Sequence, residues 1–123
     1  MSKELVISAL VMLGLDTAYI SVIKDDYLRQ IQDIQSTKPI VNMTGVFLCY
    51  VLMIFGINYF IIQKKASLLD AFLFGIVIYG VYDATTYALF SKWSGKMAII
   101  DTIWGGILMM TTAYLTYKLS TFV

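Results

Sequence analysis

Four stretches of the chain are almost continuously apolar, and the polar residues gather in clusters between them. The stretches run over 5–23, 40–62, 68–90 and 97–117. A helix needs about 20 mostly apolar residues to cross the hydrocarbon core of a bilayer, and each stretch is long enough. Unbroken apolar runs predict helices, whereas a membrane barrel would show short segments of alternating polarity. The punctuation agrees. Pro39 stands where the first turn of the second helix begins, a position that tolerates its missing N–H. Ser67 and Asp70 have the spacing of a capping box at the head of the third helix. Ser94-Gly95 marks a turn before the fourth. Lys3 ahead of an apolar run has the look of a signal peptide, but the run is long, contains Asp16 and lacks a clear small-x-small cleavage site, so a retained helix is expected.

The segment between the first two spans has a different pattern. Tyr27, Leu28, Ile31 and Ile34 recur on one helical face, with Asp25, Asp26, Arg29, Gln30, Gln32 and Asp33 elsewhere. This period predicts an amphipathic segment lying at the membrane surface or prolonging helix one, in preference to a solvated loop. The other two connections are short, so helices two, three and four should be sequential antiparallel neighbours. The expected architecture is all-α. It is a single transmembrane domain over 1–123, built as a four-helix bundle with an amphipathic interfacial segment between helices one and two. Its first partner is the lipid bilayer.

Composition narrows what such a chain can do. Hydrophobic residues make up 59% and charged residues 14%. Soluble domains hold about 45–50% and about 25%, so this chain lacks the polar material to cover a small soluble fold. A soluble enzyme, a disordered chain and a nucleic-acid binder are excluded on that ground. The net charge of +1 points to no oppositely charged partner. There is no histidine, and Cys49 is the single cysteine. No metal or cofactor site of ordinary ligation is expected, and Ser-His-Asp and Cys-His catalysis are ruled out.

An even number of spans puts both termini on one side, here side A, with Lys3, Lys64, Lys65 and Lys118. Side B carries Lys24, Arg29, Lys38, Lys92 and Lys96. The two sets are nearly balanced, so the positive-inside rule assigns no orientation and the host membrane stays open. Asn42-Met43-Thr44 fits the glycosylation pattern but lies in the first turn of a span, which makes it a chance match. Tyr27 and Trp93 suit an interfacial aromatic belt.

The candidate chemistry is acidic. Asp16, Asp83 and Asp101 lie inside spans. An intramembrane acid costs about 2.5–3.5 kcal/mol on insertion scales and usually faces a bundle interior or cavity. Counting from the side-B ends at about 1.5 Å per residue puts all three roughly 6–11 Å below that surface. Tyr79, Tyr82, Asp83 and Thr86 form one stripe on helix three, and Asp101 and Trp104 begin another on helix four. Asn42 and Thr44 stand at the same end of helix two. No Lys or Arg lies within a span. The acids must therefore be protonated, share protons, hold a cation, or meet a basic group that snorkels down from Lys24, Lys38, Lys92 or Lys96.

This reads as a polar intramembrane pocket built from Asp16, Asn42, Tyr79, Tyr82, Asp83, Thr86, Asp101 and Trp104, suited to a proton or cation, a small solute or a lipid head group. The alternative is a structural module whose buried acids only fix helix pairing. A lipid-modifying membrane enzyme is the weakest of the three, because the Gly-x-Gly-Asp element of intramembrane aspartyl proteases and the aspartate pattern of CDP-alcohol transferases are both missing. The small-residue pairs Gly14/Ala18, Gly45/Cys49 and Ala71/Gly75 allow close helix approach. Packing within the bundle is the stronger expectation for them, a homo-oligomer face the weaker.

The segment Gly80-Val81-Tyr82-Asp83-Ala84-Thr85-Thr86, then Trp93, then Ile100-Asp101-Thr102-Ile103-Trp104-Gly105-Gly106, resembles the DUF2177 family of small predicted membrane proteins. That family has a Tyr-Asp-x-Thr-Asn element in its third span, a Trp in the following turn and a Val-Asp-x-x-Trp-Gly element in its fourth. Leu15-Asp16 and Tyr27-Leu28-Arg29 resemble its N-terminal Leu-Asp and Phe-Tyr-Arg elements. The likeness covers nearly the whole chain, with Thr86 standing where the family usually has Asn. It implies a four-helix membrane protein with relatives in bacteria and large DNA viruses, it implies no activity, and it singles out the same three aspartates.

Overall fold

A computed structural model describes residues 2–35, 42–90 and 93–122, the side chains of Ser2, Asp33 and Ile34 excepted. The readings placed on Pro39, on the start of the second span, and on Lys38 and Lys92 lie outside the described residues. Four helices run in chain order: α1 over Ser2–Gln35, α2 over Met43–Ile57, α3 over Leu68–Leu89 and α4 over Gly95–Leu119. α2 continues into a π-helical turn over Asn58–Ile62. All four are long and apolar enough to cross a membrane, α2 together with its π turn. The expected all-α four-helix architecture therefore holds.

The stretch between the first two spans takes the second of its two expected forms. The amphipathic stretch after Ile23 is neither a separate surface helix nor a loop, because it prolongs α1 to 34 residues. At about 1.5 Å per residue such a helix is some 50 Å long, well beyond the roughly 30 Å hydrocarbon core. Its last turns fold against the residues that open α4. Tyr27 meets Trp93 edge-on, with ring centroids 5.5 Å apart. Gln30 accepts from the Ser94 backbone N–H and donates to Met97 Sδ at 3.2 Å. Trp93, expected in an interfacial belt, is thereby buried.

The helix ends follow local chemistry. Ser67 caps α3 by accepting from the Asp70 N–H, and Ser94 caps α4 by accepting from the Met97 N–H. The turn expected at Ser94-Gly95 is thus a helix cap. The π turn closes through a bond from the Gln63 N–H to the Asn58 carbonyl. The widened turn brings Ile57, Asn58, Ile61 and Ile62 all into the core. The single Tyr117 hydroxyl hydrogen of α4 is shared between the carbonyls of Ile61 and Ala66, 3.0 and 2.9 Å away, tying the α2–α3 connection down.

α4 is the central element. Its closest neighbour is α3, where Gly75 lies so near the Gly105 backbone that a Cβ on Gly75 would fall 2.0 Å from the Gly105 carbonyl oxygen. α4 packs its other side on α1, and α2 leans on α1 and touches α4 through the π turn. α2 and α3, although joined by a short loop, meet through Phe74, which reaches Gly56 and the Phe60 ring. Expected close packing at small residues is realised at Ala71 and Gly75, both buried. It is not realised at Gly14/Ala18 or Gly45/Cys49, which are exposed, with nothing near Gly14 or Gly45 for a Cβ to meet. The outer faces carry large apolar side chains such as Leu10, Val22, Phe47, Val77 and Leu89, all more than half exposed and therefore facing lipid.

Candidate functional site

Helix geometry decides which polar side chains meet. On α1, Asp16 and Tyr19 are one turn apart on the face that meets α4. On α4, Asp101 and Trp104 have the same spacing on the facing side. The two pairs form a reciprocal clasp. The indole N–H of Trp104 donates to Asp16 Oδ1 at 3.1 Å, and the hydroxyl of Tyr19 donates to Asp101 Oδ1 at 3.0 Å. Between these bonds the Tyr19 and Trp104 rings stack, with centroids 4.6 Å apart and planes 4° from parallel. Each acid is served by a donor on the opposite helix, and the stacked rings hold both donors in place.

Two further contacts bring in the other helices. Tyr50 of α2 donates its hydroxyl to Asp16 Oδ2. On α3, Asp83 accepts from Thr102 Oγ1 at 3.1 Å. Asp83 thus lies against the turn of α4 that carries Asp101, the residue before Thr102. All three aspartates are buried. At the side-B edge of the cluster the Tyr27 and Tyr82 hydroxyls pair at 2.6 Å.

The cluster is short of protons. Thr102 has one hydroxyl hydrogen and two acceptors, the Ala98 carbonyl at 2.8 Å and Asp83. The Tyr19 hydrogen is committed to Asp101. Two neighbouring buried carboxylates, met among the described residues by neutral donors only, are held together at least cost when one of them carries a hydrogen or a cation lies between them. Lys24 and Lys96, which could have snorkelled toward the acids, are exposed. An exposed ion pair between Arg29 and Asp26, 3.7 Å apart, occupies the arginine on the last turns of α1.

Of the residues expected at the site, Asp16, Asp83, Asp101 and Trp104 are brought together, and Tyr82 lies at its edge. Tyr79 is half-buried with its ring over Gly105, where it packs against the backbone of α4. Thr86 is buried but donates to the Tyr82 carbonyl of its own helix, 2.8 Å away. Asn42 is exposed and serves as the N-cap of α2, accepting from the Gly45 N–H at 3.2 Å. Tyr19, Tyr50 and Thr102 were not anticipated. Tyr19 was findable, since it follows Asp16 by one helical turn. Tyr50 and Thr102 carry no sequence mark apart from being hydroxyls in apolar spans. A groove of about 440 Å³ lies elsewhere, toward side A, lined by Leu5, Val51, Ile54 and Phe55 with Asn58 and Gln63 as polar members.

Comparison with known proteins adds one match. The model of a family described as a predicted membrane protein, DUF2177, matches residues 1–118. No curated protein and no solved structure matches the chain.

Proposed function

The chain belongs to the DUF2177 family of predicted membrane proteins, and on that premise we propose that this multi-pass membrane protein holds an exchangeable proton between Asp83 and Asp101. The observation that carries the reading is the nearness of these two buried acids on facing turns of α3 and α4, met among the described residues by the neutral donors Tyr19 and Thr102. One hydrogen between the two acids satisfies the acceptor that the shared Thr102 hydrogen leaves over. Asp16 accepts from Tyr50 on one oxygen and from Trp104 on the other. The Tyr27–Tyr82 hydroxyl pair is exposed, stands next to Asp83 along α3, and is the natural way in for a proton.

The test is infrared spectroscopy of the protein in lipid vesicles across a pH series. A protonated-carboxyl band should be present at neutral pH, change between about pH 5 and about pH 9, and be lost in Asp83→Asn and Asp101→Asn but kept in Asp16→Asn. Absence of such a band at neutral pH overturns the reading and leaves a cation as the bridging charge.

A second reading, helix pairing alone, is favoured by the spread of the bonds over all four helices: α1 to α2 through Tyr50, α1 to α4 through the clasp, α3 to α4 through Thr102. It expects the carboxyl band to stay unchanged across the pH series, because a locked proton does not exchange.

A further inference from the structure

The clasp fixes how α1 and α4 face each other over their whole shared length. Tyr19 opposite Asp101 and Asp16 opposite Trp104 set an antiparallel register, in which each step back along α1 matches an equal step forward along α4. Met12 then falls opposite Leu108, Ser8 opposite Thr112, and Glu4 opposite Thr116. Met12, Leu108, Ser8, Thr112 and Thr116 all have 0% exposure, as residues lining a common seam should. The seam is therefore polar on side B, apolar for one rung, and polar again on side A.

The side-A rungs carry a second, independent signal. Asn58, turned inward by the π turn, donates to Ser8 Oγ at 2.9 Å and to the Ile54 carbonyl at 2.8 Å. Its carbonyl oxygen Oδ1 is buried with no hydrogen-bond partner among the described residues, and the same holds for Thr112 Oγ1 and Thr116 Oγ1. These threonines differ from others in the chain. Thr86 and Thr102 quench their hydroxyls on the carbonyl one turn back, whereas Thr112 and Thr116 do not. The two lie one turn apart on α4, about 6 Å along the axis. Buried polar oxygens without protein partners are where ordered internal water sits, each water taking about three hydrogen bonds.

We propose that the α1–α4 seam is an interrupted proton path. Water held by Ser8, Asn58, Thr112 and Thr116 forms its side-A half, the aspartates form its side-B half, and the Met12–Leu108 rung closes it between them. The proposal rests on the proton-site reading above and extends it across the membrane. A proton arriving from side B resides on the Asp83–Asp101 pair. It moves on only when the apolar rung admits water, and leaves along the hydroxyls toward Glu4. The path requires no open pore, since protons pass along hydrogen-bonded groups and water without displacing the helices.

Proton flux into pH-gradient vesicles containing the purified protein is the direct measurement. Leu108→Thr should raise the flux over wild type by at least about tenfold, the effect of lowering a barrier by about 1.4 kcal/mol. Adding Asp101→Asn should return the flux to the wild-type rate, and Leu108→Met, which keeps the rung apolar, should change nothing. A second measurement does not depend on the variant: magnetisation transfer from water to the Thr112 and Thr116 methyls, in protein held in lipid nanodiscs, with the Ala113 methyl as the dry reference. A Leu108→Thr flux equal to wild type, or one that persists with Asp101→Asn, overturns the path, and so does the absence of water contact at both threonines. If the carboxyl band titrates while the flux does not respond, only the path fails; if the band does not titrate, the proton site itself fails.

Discussion

α4 has two interfaces, and they are built on opposite principles. Toward α3 it presents Gly105 and Gly106, and α3 answers with Gly75 against the backbone and with Tyr79, Phe72 and Ile76 lying over the two glycines, so the contact leaves no room for a Cβ at any of the three. Toward α1 it presents Asp101 and Trp104, and α1 answers with Tyr19 and Asp16, so the contact is a set of directed hydrogen bonds around a stacked pair of rings. In lipid neither interface gains from a hydrophobic effect, because the tails are as apolar as leucine; close packing and hydrogen bonding are the forces left. The α3–α4 seam uses the first and has little tolerance for added volume. The α1–α4 seam uses mainly the second and should tolerate volume better than the loss of a donor.

The comparison can be broken by substitution, and the steric side should give the largest effect. Gly75→Ala puts a methyl against the Gly105 carbonyl and should destabilise the bundle by about 3 kcal/mol, the upper range for overpacking. Thermal unfolding in detergent micelles would show it as a large fall in Tm. Gly14→Ala, on an open helix face, is the control and should leave the bundle as stable or stabilise it by about 0.5–1 kcal/mol. A similar loss from both would mean that α3 and α4 are not held by close approach.

On the polar side, Trp104→Phe keeps a ring over Tyr19 and removes one donor from Asp16. A loss of about 1 kcal/mol is expected, the net worth of a typical buried hydrogen bond. No loss would show that the stack, and not the bond to Asp16, holds the clasp. The smallest effect sharpens the comparison most. A double-mutant cycle of Tyr19→Phe with Asp101→Asn should give a coupling of about 0.6 kcal/mol, the average for an interhelical hydrogen bond in a membrane. Additive losses would place Tyr19 and Asp101 in separate interactions.

The spans were legible because lipid demands long apolar runs and because Ser67 and Ser94 cap helices by local rules. The fate of the stretch after Ile23 was not, since an amphipathic period suits a surface helix and a continued helix equally. Its contacts with Trp93, Ser94 and Met97, far off in sequence, are what make use of its length. The candidate site divided in the same way. The three aspartates stood out by their cost in lipid. Asn42 and Thr86 looked equivalent to them as polar residues near the same surface, yet each satisfies its side chain on backbone of its own helix. Tyr50 and Thr102 matter only because other helices deliver an acid to them.

The sequence by itself determined the solvent, the four helices, their punctuation and the depth of the three acids. Each of these follows from residues near one another in the chain, through apolar length, helical period and capping. Only the tertiary structure decided which donor serves which acid, that Asp83 meets Thr102 beside Asp101, and that Gly75 and not Gly14 marks a close approach. Those outcomes depend on the rotation and register of one helix against another. A pattern of 3.6 residues per turn assigns faces to a helix and leaves open which neighbour each face will meet.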